Sequence, residues 1–206
     1  MIHPTIQESL NKSISYKAYK DLVNTLAETN GTTGIEQTEA LINYTKLNAR
    51  RMKRWDKTLK VSEATKAKVL EFNTPTTWLV ITESWCGDAA HVIPVLNKLA
   101  ELNPNINLKL VLRDENLELM DMFLTNGGRA IAKLVVIDNE TGQVQDSYGP
   151  RPSEATALVN NYKAEYGKLT PEFKETLQVW YNKNKGQNII DDITKMLCRF
   201  KPEVCI

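Results

Sequence analysis

One thiol in this chain stands where the local sequence could make it reactive. Cys86 follows a short apolar run rich in β-branched residues, Trp78-Leu79-Val80-Ile81-Thr82, and opens a helical pattern that runs to Leu102. A cysteine at a strand–helix junction lies against the unpaired N–H groups of the first helical turn. Their partial positive charge favours thiolate over thiol. Asp88, two residues on, opposes this by like-charge repulsion, and it equally suits the helix start as a first-turn acid. His91 follows Asp88 by three residues and could pair with it on one helical face. A surface or partly buried histidine with no catalytic duty is the plainer expectation, and His3 belongs to an N-terminal arm.

The other two cysteines, Cys198 and Cys205, lie far along the chain. They could resolve a disulfide at Cys86 if the C-terminal helices fold back over the motif. The simpler expectation is a small buried residue on the last helix for Cys198 and a loose tail thiol for Cys205. Three scattered cysteines do not make a disulfide framework and point to a reducing, cytoplasmic setting. With two histidines they also lack metal-ligand spacing, so neither a metal nor another cofactor is expected. The 26 basic and 25 acidic residues leave a net charge of +1, too small for a global field that steers the chain to nucleic acid or membrane. No stretch approaches the roughly 18 uninterrupted apolar residues of a membrane span, and the first 30 residues show no secretory pattern.

The elements that must position Cys86 can be read from periodicity and punctuation. An amphipathic helix is expected from Tyr16 to Glu28, then a break at Asn30-Gly31-Thr32-Thr33-Gly34. A longer helix should follow from about Glu36 to Leu59, with Leu41, Tyr44, Leu47, Met52, Trp55 and Leu59 as its apolar side and a gap near Asn48. It carries a basic cluster: Lys46, Arg50, Arg51, Lys53, Arg54, Lys57 and Lys60. A solvated face is the plain explanation; an acidic partner docking on helix 46–60, RNA, or a positive rim beside Cys86 are the sharper ones. No aromatic interleaving supports nucleic acid.

Ser62 should cap a third helix over about 63–72. A strand is expected at about 77–83 and the Cys86 helix, with Pro94 inside it, comes next. Another strand follows at about 106–112, then a helix from about Glu115 to Leu124. Two strands around Asp138-Asn139-Glu140-Thr141-Gly142 read as a hairpin. Ser153 should cap a helix to about Tyr166, and Thr170-Pro171-Glu172 restarts the chain as helix.

The order from 77 onward, strand, helix, strand, helix, strand, strand, helix, resembles the thioredoxin family. Three features carry the resemblance: Trp85-Cys86-Gly87 after a strand, Pro94 eight residues past the cysteine, and Arg129-Ala130-Ile131-Ala132-Lys133 leading into the hairpin. The motif is similar to the family branch that reads Trp-Cys-Gly-Asp. The resemblance implies a three-layer α/β/α fold with a mixed central sheet over residues 62–166, flanked by helical extensions at 1–61 and 167–206. It implies that Cys86 is the attacking thiol. Trp85, Gly87, Asp88, Ile131 and Ala132 would then form the substrate-binding surface.

Three departures from the family follow from the residues present. Ala89 replaces the resolving cysteine, Val80 replaces a buried acid that helps move protons, and Ala132 replaces a cis-proline. A cis bond before a non-proline residue costs about 2.5–4 kcal/mol, which predicts a trans Ile131–Ala132 bond. Asp88 predicts a thiol less acidic than in relatives with proline or histidine there. Three functions are compatible with the sequence. One is monothiol thiol–disulfide exchange with a protein or a low-molecular-weight thiol or disulfide. The second is a redox-inactive module binding a protein or peptide in the old groove, and the third an adaptor docking through the basic helix.

Overall fold

Every residue of β1 (Thr76–Thr82) is buried. A strand sealed on both faces must be the centre of a sheet covered on both sides. The structure, a computed structural model, describes residues 1–200. In it β1 pairs in parallel with β2 (Ile106–Leu112) and antiparallel with β3 (Lys133–Asp138), and β3 pairs antiparallel with β4 (Val144–Tyr148). The sheet order is β2-β1-β3-β4. β1 and β2 are joined through helix α5 (Ala89–Ala100), so they lie parallel as a helical crossover requires. The mixed sheet with its surrounding helices is the α/β layout expected of a thioredoxin-like fold.

Five further helices follow the sequence signals closely. α2 (Tyr16–Glu28), α3 (Glu39–Thr58), α4 (Glu63–Glu71) and α8 (Pro171–Asn184) each begin on a hydroxyl residue, Ser15, Thr38, Ser62 and Thr170. In each case the side-chain oxygen accepts an N–H of the first turn, which satisfies one of the donors that a helix start leaves open. α7 (Ser153–Tyr166) has the expected span but not the expected cap. Pro152 sits at the cap position, and the Ser153 hydroxyl instead donates to Asp192 of α9 (Gln187–Phe200) at 2.7 Å.

The N-terminal arm is itself a helix, α1 (Pro4–Asn11). Beyond it, Ile14 exchanges two backbone hydrogen bonds of 2.9 Å with Leu110, which partly covers the free edge of β2. The helix expected at 115–124 is shorter, a 3-10 turn at Arg113–Glu115 and then α6 (Leu117–Met122). One hydrophobic core runs through sheet and flanking helices alike. It contains Ile6 of α1, Val23 of α2, Met52 of α3, Tyr181 of α8 and Ile190 of α9 beside Val80, Leu96 and Val135.

The buried side of α3 differs from the apolar stripe expected of it. Met52 and Trp55 are buried, but Tyr44 and Leu47 are exposed, and the inward positions between are Thr45 and Asn48. The spacing 45, 48, 52, 55 is still helical; the surface it meets is polar. The apparent gap at Asn48 is therefore a contact, described below. No helix among the described residues is long and apolar enough to cross a membrane.

Candidate functional site

Cys86 sits in the turn between β1 and α5, three residues before the helix begins at Ala89. The residue is 7% exposed. It accepts the Ala89 N–H at 3.4 Å and donates its own proton to the Ile131 carbonyl at 3.2 Å. Burial, and then the Asp88 carboxylate, push the thiol up to about 12, while the N–H groups of Ala89 and Asp88 and the charge of Arg151 pull the other way. At neutral pH Cys86 is a protonated thiol. The direction agrees with the weak acidity expected from Asp88, but desolvation is the larger cause.

The Ile131–Ala132 bond is cis, against the trans bond expected from local cost alone. Tertiary contacts on both sides of that bond override the local preference. The Ile131 carbonyl takes the Cys86 proton. The Ala132 carbonyl lies so close to Gly149, at φ +110, that a Cβ there would collide with it. Ile131 and Ala132 are thus brought to Cys86 and are buried, while Trp85 and Gly87 are partly exposed beside it. Ala89, at the position of a resolving cysteine, is buried.

Asp88 does not cap the helix. It occupies the N-cap position without a side-chain cap bond, because its carboxylate is drawn to partners outside the helix. Arg151, in the connector before α7, pairs with Oδ2 at 2.7 Å, and Tyr181 of α8 donates its hydroxyl to Oδ1 at 2.9 Å. Burial still pushes the Asp88 carboxyl up, against the pull of Arg151. The Arg151 Nε is buried without an acceptor. Tyr181 in turn stacks on His91, ring centroids 4.1 Å apart and 3° from parallel.

His91 is buried rather than at the surface, and it does not pair with Asp88. Trp55 Nε1 donates to His91 Nδ1 at 2.9 Å, so Nδ1 must be the unprotonated nitrogen. Nε2 then carries the hydrogen and donates to Gln178 Oε1 at 2.8 Å. Burial, with added repulsion from Arg51 and Arg54, holds this imidazole down at about 3. It is a neutral brace between α3, α5 and α8.

On the other flank Ser84 is the hub of a buried hydroxyl cluster. Its Oγ accepts the Thr33 N–H at 2.9 Å and shares hydrogen bonds with Thr45 at 2.8 Å and Thr32 at 3.1 Å. Its own N–H donates to Thr33 Oγ1 at 2.8 Å, and its carbonyl accepts Asn48 Nδ2 at 2.8 Å. The 30–34 break and the polar side of α3 are therefore shaped to hold the residue two before the cysteine. Gly34, at φ +85, passes so near Asp114 that a Cβ would lie 2.6 Å from its carboxylate. Arg113, ion-paired with Asp114 at 2.8 Å, stacks over Trp85 at 4.8 Å.

Glu83 is buried beneath this flank. Asp114 N–H donates to Oε1 at 2.9 Å, Oε2 has no partner, and burial raises the carboxyl. Val80, at the family's acid position, is buried and apolar.

Of the basic cluster, Arg50, Lys53, Arg54 and Lys57 on α3 and Lys60 just beyond it face solvent, and Lys46 is half-buried. Arg51 turns inward: its Nη1 donates to Asn48 Oδ1 at 2.9 Å and lies 3.4 Å from the point where a Cβ on Gly87 would be. Cys198, on α9, is half-buried and disulfide-bonded, so it offers Cys86 no free thiol. Cys205 lies outside the described residues. No group of three or more metal-ligating side chains occurs among the described residues.

Sequence periodicity alone did not point to Ser84, Arg151, Tyr181 or Gln178 as neighbours of the thiol. The one usable signal was the polar interruption of the α3 stripe at Asn48.

A family model described as thioredoxin matches residues 34–164. Among solved structures, a protein of unknown function from Pseudomonas aeruginosa is similar with a TM-score of 0.62 and 16% identity, over 93% of this chain and 95% of that one. An HIV epitope-scaffold is similar with a TM-score of 0.55 and 18% identity, over 89% of this chain and 98% of that one. Comparison with curated proteins gives no match. At these identities the structural likenesses bear on the fold alone.

Proposed function

The chain belongs to the thioredoxin family, and from that premise we propose that it is a monothiol thiol–disulfide exchange protein acting through Cys86. The observation that supports this is the setting of the sulfur, between the Ala89 N–H at the helix start and the Ile131 carbonyl. The N–H groups of Ala89 and Asp88 already favour the thiolate, so the charge formed on deprotonation has donors waiting for it.

The exchange balances with one external disulfide and one external thiol. Cys86 loses its proton, and its sulfur attacks one sulfur of a partner disulfide. The Cys86–partner bond forms, the partner's S–S bond breaks, and the departing thiolate takes up a proton. Ala89 cannot supply the internal attack that would free the partner, and Cys198 is already in a disulfide. A second thiol from solution, of low molecular weight or on a protein, must attack the mixed disulfide and regenerate Cys86. A reducing, cytoplasmic compartment would supply that thiol, although the bridge at Cys198 is a bond such compartments tend to open.

The near-complete burial of the sulfur and its retained proton favour a second function, a redox-inactive fold in which Cys86 is a structural donor and a protein or peptide binds beside Trp85. One experiment separates the two. The native protein is held overnight at pH 8 with excess bis(2-hydroxyethyl) disulfide and weighed intact by mass spectrometry. Exchange chemistry predicts a single adduct, absent in Cys86→Ser, that persists until 2-mercaptoethanol is added. No adduct on the folded protein would overturn the exchange function and leave the binding module.

A further inference from the structure

Like Lys46, Arg51 is half-buried while the rest of the basic cluster is exposed, and no ion pair among the described residues holds its charge. Its only hydrogen bond among the described residues is to the neutral Asn48 side chain. Burial lowers its guanidinium below the ordinary value. A partly desolvated cation without a counter-ion is an unfavourable arrangement unless a ligand completes it.

Its place makes the ligand specific. The guanidinium lies 3.4 Å from where a Cβ on Gly87 would be, beside the partly exposed residue that follows Cys86. The other charged groups near the thiol have partners of their own, and of these the Asp88 carboxylate still raises the thiol. Asp88 is held by Arg151, and Asp114 is held by Arg113 over Trp85. Glu83 is sealed beneath the Trp85 flank with its carboxyl pushed towards the neutral form by burial. His91 is neutral, its ring nitrogens used by Trp55 and Gln178. A molecule that reaches Cys86 past Gly87 would come beside the Arg51 guanidinium, a planar fork of donors whose geometry matches a carboxylate or sulfonate.

We propose that Arg51 selects the substrate of Cys86, and that this substrate is an anionic low-molecular-weight disulfide or thiol, its acid group bound by Arg51 while its sulfur meets Sγ. The proposal rests on the exchange function above. It gives the N-terminal helix α3 a part in choosing the substrate.

Three methanethiosulfonates with one leaving group test it: the anionic 2-sulfonatoethyl, the neutral methyl and the cationic 2-(trimethylammonio)ethyl reagents. Each transfers its RS group to Cys86 as the thiolate displaces methanesulfinate, and a peptide reference removes their differences in intrinsic reactivity. Rates are measured at pH 8 and low salt and divided by those of a short cysteine peptide. The anionic reagent should outrun the cationic one by at least about tenfold, the low end of the range over which local charge raises encounter rates. Arg51→Gln should bring the ratio close to that of the peptide, and Arg51→Lys should keep most of it. A ratio is unaffected by a general loss of thiol reactivity, which a purely structural role for Arg51 would produce. If the neutral reagent labels Cys86 but the wild-type ratio matches the peptide, or Arg51→Gln leaves the ratio unchanged, the selection by Arg51 is overturned. If the neutral reagent fails to label Cys86 in the folded protein, the exchange function itself is overturned and this inference with it.

Discussion

Lowering the pH should destabilise this protein through His91, because the unfolded chain takes up a proton there that the folded one refuses. In the fold the ring accepts from Trp55 at Nδ1 and donates to Gln178 from Nε2. A second ring proton would set two donors face to face inside a buried stack. Burial above all, with the repulsion of Arg51 and Arg54, holds the folded imidazole at about 3, against an ordinary value of 6.5. Between those values the unfolded chain binds the extra proton and the native one does not, so stability is whole above pH 6.5 and is lost as pH falls towards 3. From pH 7.5 to pH 4.5 the loss is about two pH units of linkage, or about 2.7 kcal/mol from this residue. The size is insensitive to the folded value, since any value below about 4 leaves the ring uncharged at pH 4.5.

Urea denaturation at the two pH values, in wild type and His91→Gln, isolates the effect. The variant loses the ring stack and its own baseline stability, but that offset cancels when only the pH difference is compared. Wild type should lose about 2.7 kcal/mol more than the variant over the interval. Should His91→Gln fail to fold, nitrogen chemical shifts of the imidazole provide the same test, remaining those of the neutral ring down to pH 4. A difference below about 1 kcal/mol, or an imidazole titrating near pH 6, would refute the buried neutral brace.

The thiol and the hydroxyl cluster yield two further expectations. A Cys86 value of about 12 in place of the usual 8.5 cuts the thiolate fraction at pH 7.5 by about 10^3.5, and the greater nucleophilicity of a more basic thiolate restores about 10^1.6. Iodoacetamide should therefore alkylate Cys86 about 10^2-fold more slowly than a cysteine peptide, with the rate still climbing tenfold per pH unit at pH 9; a plateau by pH 8 would contradict the geometry. Ser84→Ala strands the buried Thr33 N–H and leaves the Thr45 hydroxyl with Thr32 alone, and should cost about 1–3 kcal/mol in urea denaturation. A cost under about 1 kcal/mol would mean that the loop and α3 are held by something other than this cluster.

Helix starts and strands were legible because their signals are local. Ser62, Thr170 and Pro171 act on the turn they begin, and a β-branched run such as Trp78–Thr82 needs no distant partner to be recognised. The cap signal at Ser153 misled because a remote side chain, Asp192, competed, and Asp88, expected as a first-turn acid, is likewise drawn to Arg151 and Tyr181. The apolar stripe of α3 was misplaced for the same reason. Thr45 and Asn48 look outward-facing by type, yet Ser84 makes their burial favourable.

By itself the sequence determined that the chain has one thiol at a strand–helix junction, no second cysteine where an internal attack would come from, and the strand and helix order of a thioredoxin-like fold. These are properties of residue type and spacing, which need no third dimension. Only the tertiary structure decided that the thiol is buried and protonated, that Ile131–Ala132 is cis, that His91 is an internal brace and that Arg51 alone of its cluster reaches the motif. Each of those depends on which groups from distant parts of the chain meet in a medium with little water. There a neighbour's charge or a lost hydration shell outweighs what adjacent residues prefer.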